Sequence, residues 1–326
     1  MESTRRPRLT PAIADIRRAV RELLPTEGLV LVALSGGADS LALAAATAFE
    51  AGRAGIRAGA VIVDHNLQPG SADVAARAAE TARQLGLEPV LVVGVTVGDD
   101  GSGPEAAARM SRYAAFDAAL ERTGASGVLL GHTLDDQAET VLLGLARGSG
   151  PTSLRGMAAR TGPILRPLLG IRRAATRQFC VDAGLEPWSD PQNFDPRYAR
   201  VRVRETVLPV LENELGPGVG LALARTAEAL REDSDALDEL ARTGLRAHWG
   251  DGRIRAAVLA AQPAAIRQRV IRFAAEQRSG AWLDRQQTLA VAALVTDWHG
   301  QGALSLSGIR VVRQDGILIF SVPGPT

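Results

Sequence analysis

The run Leu29-Val30-Leu31-Val32-Ala33-Leu34 passes directly into Ser35-Gly36-Gly37-Ala38-Asp39-Ser40 and then into Leu41-Ala42-Leu43-Ala44. Six apolar residues bounded by a glycine pair read as a buried strand, and the leucine- and alanine-rich run from Ser40 to about Ala51 reads as a helix. The turn between them is the informative part. Two adjacent glycines let the backbone bend so that successive amides point inward, and the helix start adds positive potential, so a pyrophosphate fits there without a lysine. Ser35 and Ser40 add hydroxyl donors. Asp39 is out of place in a bare phosphate site, because a carboxylate repels phosphate unless a divalent cation lies between them. Magnesium is the expected cation and Asp39 its ligand. The loop position predicts that Asp39 is exposed and contributes little to stability. A structural turn with an Asp or Ser helix cap is the alternative reading.

The alternation continues outward for 185 residues. Strands are expected at 58–63, 89–95, 128–131 and 164–169, with helices at 71–86 (capped by Ser71), 104–123 (stopped by Gly124), 134–147 and 172–183. Strands alternating with helices imply right-handed crossovers and a parallel sheet covered on both faces, with ligands beyond the carboxyl ends of the strands. After Pro209 the texture changes. Gly216-Pro217-Gly218 punctuates the chain, an acid-rich amphipathic helix is expected at 221–246, further helices at 263–277 and 284–297, and a hairpin around Gln314-Asp315-Gly316. The division this suggests is a helical extension at 1–27, a parallel α/β domain at 28–212 and a smaller, mostly helical α/β domain at 213–326.

Composition narrows the chemistry. The chain has 326 residues, 46% hydrophobic and 22% charged, an ordinary globular composition. Its longest apolar runs, such as Leu41 to Phe49, stop near nine residues, well short of the roughly 20 that cross a bilayer. A cytoplasmic protein without a membrane partner is expected. All 37 basic residues are arginine. With no lysine, a Walker-A loop and Schiff-base catalysis are both excluded. Cys180 is the single cysteine, which excludes an intrachain disulfide, a redox pair and a cysteine zinc cluster.

The net charge of +1 is unevenly spread. Arg147 to Arg204 holds eleven arginines against four acids, and Glu205 to Leu240 holds nine acids against two arginines. A basic block beside an acidic one suggests a polyanion site on one face; two solvated surfaces that pair with each other explain it equally well.

Several further stretches fall in order at the ends of the expected strands: Val63-Asp64-His65-Asn66-Leu67, Glu105 through Arg109 with Arg112-Tyr113, Gly131-His132-Thr133-Leu134-Asp135-Asp136-Gln137-Ala138-Glu139-Thr140, Arg166-Pro167-Leu168-Leu169, Asp190-Pro191-Gln192-Asn193, and Arg200 with Arg204 ahead of Leu208-Pro209. The glycine turn resembles the PP-loop of the ATP pyrophosphatase superfamily, whose members split ATP between its α- and β-phosphates. Together the stretches, covering about 28–212, resemble the tRNA(Ile)-lysidine synthetase family. That resemblance implies a PP-loop (adenine nucleotide alpha-hydrolase-like, Rossmann-like) fold. It also implies ATP and Mg2+ as substrate and cofactor, and L-lysine and a tRNA(Ile) with a CAU anticodon as partners. The implied reaction is adenylation of the wobble cytosine at its carbon-2 oxygen followed by attack of the lysine ε-amine. Sulfur-inserting members of the superfamily use paired cysteines or an iron–sulfur cluster, which one cysteine does not supply. Another AMP-forming ligase acting on a small molecule, and an ATP-binding module without turnover, stay open, as does a homodimer.

Read by residue, the resemblance puts ATP on Ser35, Gly36, Gly37, Ala38, Asp39, Ser40 and His132. Asp135 and Glu139, four apart on one helix, share a face and are expected to grip the lysine ammonium, with Asp39 and Asp136 completing the catalytic group. Favourable charge at a helix N-terminus, worth about 0.3–1 kcal/mol each, is their ordinary alternative. Glu105, Arg109 and Arg112 read as a lid face over the nucleotide or as an intrahelical ion-pair ladder. Arg200 and Arg204 are planar forks for the lysine carboxylate or a tRNA phosphate. The family pattern usually has Asn where this chain has Val201, which leaves the role of Arg200 open. Trp249, Trp282 and Trp298 read as core or as base-stacking residues.

Overall fold

The computed structural model describes residues 9–64, 70–95, 104–148 and 151–322, without the side chains of 104–106, 151–152 and 191–192. In chain order the first elements are α1 (Pro11–Leu23), β1 (Leu29–Ala33), α2 (Ala38–Ala54), β2 (Arg57–Asp64), α3 (Ser71–Gln84), β3 (Val90–Gly94), α4 (Pro104–Thr123), β4 (Gly127–Leu129) and α5 (Leu134–Ala146). A short α6 (Pro151–Leu154), β5 (Arg160–Thr161), β6 (Ile164–Leu165) and α7 (Arg173–Ala183) follow. The strands form one sheet in the order β3-β2-β1-β4-β6-β5, parallel except for the antiparallel pair β5–β6.

Side chains along β1 alternate between two cores, as they must in a sheet covered on both faces. Val30 and Val32 pack with α1, α2, α3 and α7 through Ile16, Val20, Leu43, Ala78 and Phe179, while Leu31 joins Phe116 of α4 and Ile164 on the other side. The helix α1 therefore belongs to the first core. Three local expectations are corrected. The strand expected at 164–169 ends at Leu165, because Pro167 has no N–H for the ladder and opens a 3-10 turn, Pro167–Gly170. Gly70, in the left-handed region at φ 85°, is the N-cap of α3, with Ser71 its first helical residue. The helix α2 starts at Ala38, two residues earlier than read, with Gly37 as its cap.

The remaining elements are α8 (Ala199–Arg202), a π-helical turn (Val203–Val207), α9 (Leu208–Glu214), α10 (Val219–His248), β7 (Arg253–Arg255), α11 (Ala256–Ala260), α12 (Ala264–Ser279), α13 (Arg285–Thr296), β8 (Leu304–Leu306), β9 (Ile309–Gln314) and β10 (Ile317–Ser321). The chain divides into a unit of Met1–Glu228 and a unit of Ala229–Thr326, so the division lies inside α10, beyond Gly216-Pro217-Gly218. In the second unit a four-stranded antiparallel sheet, β7-β10-β9-β8, lays Ile254, Leu318, Phe320, Val311 and Ile309 against Val270, Ile271 and Val291 of α12 and α13. The expected hairpin is β9–β10, and Asp315 at φ 49° turns it. Trp249 packs against Phe320, whereas Trp282 is 66% exposed, contrary to a core role.

Candidate active site

Strand order reverses between β1 and β4, so the loops after these two strands leave the sheet side by side and open a crevice at its carboxyl edge. The glycine turn follows β1. Gly36 has φ 84°, a conformation that disfavours a side chain, and its carbonyl accepts from the Trp188 amide at 3.0 Å. The Ser40 hydroxyl donates to the Gly37 carbonyl (2.9 Å) and accepts from the Ser35 amide (3.2 Å). Ser40 thus holds the turn in shape, and Ser35 is the exposed hydroxyl of the pair. After β4 comes Gly131, where an added Cβ would lie 3.1 Å from the Asp39 carbonyl carbon and 3.2 Å from the Ser40 nitrogen. A side chain here would press on that backbone, so the close approach favours glycine.

Asp39 differs from its expectation. It sits in the first turn of α2, and its carboxylate accepts a hydrogen bond from the Thr176 hydroxyl and lies 3.7 Å from Arg173 Nε. Burial raises its pKa above the ordinary aspartate value, partly offset by the Thr176 bond. It is a tethered, half-buried group rather than a free loop residue. Among the described residues no group of three His, Cys, Asp or Glu side chains could hold a metal by itself. Asp39 on the cleft wall fits the other common magnesium arrangement, one carboxylate completed by substrate phosphates and water.

Thr133 caps α5 in a reciprocal box: its hydroxyl accepts from the Asp136 amide, and Asp136 Oδ2 accepts from the Thr133 amide at 2.8 Å. That fixes Asp136 so that Oδ1 meets Arg173 (2.8 Å) and Arg204 (3.5 Å). Arg173 and the Thr133 amide outweigh burial and hold the Asp136 pKa below the usual carboxylate range. One turn on, Glu139 is fully buried beneath three guanidinium groups: Arg173 Nη2 at 3.1 Å, Arg200 Nε at 3.0 Å and Arg204 Nε at 2.8 Å. Burial opposes the charge on Arg173, but Asp136, Glu139 and Asp39 together keep it firmly protonated.

The pairing expected from i,i+4 spacing is therefore corrected. Asp135 turns away to the start of α7, accepting from the Arg173 amide (2.7 Å) and pairing with Arg172 (3.0 Å). The carboxylates that converge are Asp136 and Glu139, three apart. Arg200 and Arg204 reach Glu139 from either side of the α8 boundary with the π-helical turn, a deformation frequent at functional sites. Much of the basic block thus faces carboxylates of the same unit and is neither a free surface nor the partner of the acidic block.

A cleft of about 950 Å³ joins these parts, lined by Ser35, Asp39, His132, Asp136, Arg109, Arg112, Arg173, Arg200 and Arg204 among others. Glu139 and Asp135 are not on its wall. Burial pushes the His132 pKa down to about 4, so the ring is neutral, and its Nδ1 has no hydrogen-bond partner among the described residues. Arg109 donates to the Tyr113 hydroxyl, which also accepts from the buried Arg166. The side chain of Glu105, and His65, Asn66, Leu67 and the loop 98–103, lie outside the described residues. Sequence reasoning missed Arg173, Thr176 and Trp188. The run of arginines at 172–173 was the only available signal, and it did not say which one turns inward.

A family model described as a PP-loop domain matches residues 10–211, and one described as the TilS substrate binding domain matches 254–319. A tRNA(Ile)-lysidine synthase of Leifsonia xyli subsp. xyli is 65% identical over 90% of this chain and 89% of its own. The chain belongs to the tRNA(Ile)-lysidine synthase family. Its relative of the same name in Thermobifida fusca is 53% identical over 95% of this chain and 98% of that one. The U34-tRNA thiolase NcsA from Methanococcus maripaludis, solved with its [4Fe-4S] cluster, shares the fold at a TM-score of 0.57 and 20% identity, covering 68% of this chain and 80% of its own. Here Cys180 is buried and its thiol is pushed up to about 11, so it is inert. Val201 is buried, and Arg200 is held by Glu139, the Thr140 hydroxyl (2.8 Å) and the Asp136 carbonyl (3.4 Å).

Proposed function

We propose that this chain joins L-lysine to the wobble cytidine of a tRNA(Ile) with a CAU anticodon, consuming ATP. The observation that carries the reading is a single cleft with the glycine turn on one wall and the Asp136–arginine cluster on the other, in a member of this family. At about 950 Å³ the cleft stands at the upper end of small-molecule sites, enough for a nucleotide and a second reactant.

In the first step the cytosine carbon-2 oxygen attacks the α-phosphate and diphosphate leaves. Inward amides of Gly36 to Ser40 and the α2 N-terminus bind the departing phosphates, while the Ser35 amide is spent on the Ser40 hydroxyl. A magnesium ion held by Asp39 would neutralise phosphate charge when bound. Neutral His132 offers a ring nitrogen to a phosphate oxygen without repelling a neighbouring guanidinium. In the second step the lysine ε-amine attacks carbon-2 and AMP departs. Asp39 and Asp136 are the acidic side chains of the cluster that line the cleft, where Asp136 meets the lysine ammonium, and Arg200 and Arg204 present their Nη1 groups to the lysine carboxylate. Glu139 acts through those arginines, as the buried counter-charge that holds them in position.

Purified protein with ATP, radiolabelled lysine and total tRNA is expected to yield acid-precipitable label and AMP, both only with RNA present. AMP release without RNA would favour a small-molecule ligase, and absence of both would favour a binding module.

A further inference from the structure

The antiparallel sheet of the second unit has one face in its core and one face outward, and register identifies every residue on the outward face. Directly paired residues share a face. Arg255 pairs with Ile317 and Ile317 with Gln314; Arg253 pairs with Ile319 and Ile319 with Val312; Ser321 pairs with Arg310 and Arg310 with Ser305. These nine residues form three rows across all four strands, and none is acidic. Arg253, Arg255 and Arg310 are exposed, as are Gln314 and Ser305, around a half-buried strip of Ile317, Ile319 and Val312. Among the described residues none of the three arginines pairs with a carboxylate, in a unit where Arg246, Arg269 and Arg278 all do. Asp251 and Asp315 lie in the turns beyond the strand ends.

We infer that this open sheet face is a phosphate-binding platform for the tRNA, with Arg253, Arg255 and Arg310 its contacts. The inference rests on the proposed function for its partner and adds the surface. Three unpaired guanidinium groups on an acid-free face are the electrostatic complement of a polyanion. Arg253 and Arg255 are about 7 Å apart along β7, a spacing suited to successive phosphates of one strand. Arg310, two strands away, reaches a separate part of the backbone. The aliphatic strip lets the backbone approach without stranding a charge, and Gln314, Ser305 and Ser321 supply hydrogen bonds to ribose hydroxyls.

The test compares the full chain with R253Q/R255Q/R310Q by anisotropy on a labelled tRNA(Ile) transcript at 50 and 200 mM KCl. Three lost contacts should reduce the slope of log affinity against log salt by about 2.7, so that wild type loses roughly 40-fold more affinity than the variant over this range. KM for tRNA should rise, KM for ATP and lysine should hold, and R253K/R255K/R310K should restore the wild-type slope. An unchanged slope in the glutamine variant overturns the inference, as does a lysine variant that fails to restore it. A glutamine variant that loses only self-association in light scattering overturns it too, and marks the face as a contact between copies. Wild type that binds tRNA with the expected slope but forms no lysidine sinks the proposed reaction and leaves this platform standing.

Discussion

Replacing Glu139 by Gln preserves shape and removes one charge from a cluster of three carboxylates (Asp39, Asp136, Glu139) and three guanidinium groups (Arg173, Arg200, Arg204). Four N–H···O contacts of 2.8–3.1 Å end on the two Glu139 oxygens, and a fully buried carboxylate so bonded is a strong counter-charge. Removing one partner of a buried ion pair costs about 3–5 kcal/mol. The three arginine side chains are 14–28% exposed, so water relieves part of that, and about 3 kcal/mol is expected. Urea unfolding would measure it, read from Trp188 after Trp249, Trp282 and Trp298 are changed to Phe, so that the signal comes from the first unit alone. The double variant E139Q/R173Q should cost less than the sum of its single changes, because each removes the charge that the other balances. E139Q as stable as wild type, or strict additivity with R173Q, would refute the assignment of Glu139 as counter-charge to this cluster.

Asp39→Asn should lower AMP formation by about 10²-fold or more without lowering the unfolding midpoint, because burial already disfavours its charge and the amide oxygen still accepts from Thr176; calorimetry and an AMP assay check both. His132 gives a pH signature with a definite sign. The unfolded ring takes its proton near 6.5 and the folded ring only near 4, so the stability of wild type relative to H132Q is complete above pH 6.5 and falls by up to about 3 kcal/mol as pH drops toward 4. A flat difference between the two proteins across that window would count against a neutral buried ring. Gly131→Ala forces a methyl against the Asp39 backbone and should cost about 1–3 kcal/mol, with a raised KM for ATP; a neutral effect on both would contradict the close approach of the two loops.

Local chemistry explains which parts of this architecture the sequence makes legible. The helix α4 runs over Pro104–Thr123 as read, because proline suits a helix start and Gly124 takes the left-handed conformation that ends it. The strands β5, β7 and β8 are two or three residues long, too short for alternation to register, so only their pairing partners define them. The active-site cluster divides the same way. Spacing puts Asp135, Asp136 and Glu139 on one helix start, but Arg173 lies 34 residues from Glu139 and Arg200 lies 61 away. Which carboxylate meets which guanidinium is decided by the crossing of α7 and α8 over α5, a tertiary fact that periodicity does not carry. The cap on α5 was visible as Thr133 followed by Asp136, and reading it as a cap would have shown that Asp136, rather than Asp135, is turned inward.

Because the backbone after β4 touches the backbone of the glycine turn at Gly131, neither loop has slack of its own. Any side chain at Gly131 would have to push that backbone aside, so the position next to His132 and the start of α2 share one clearance.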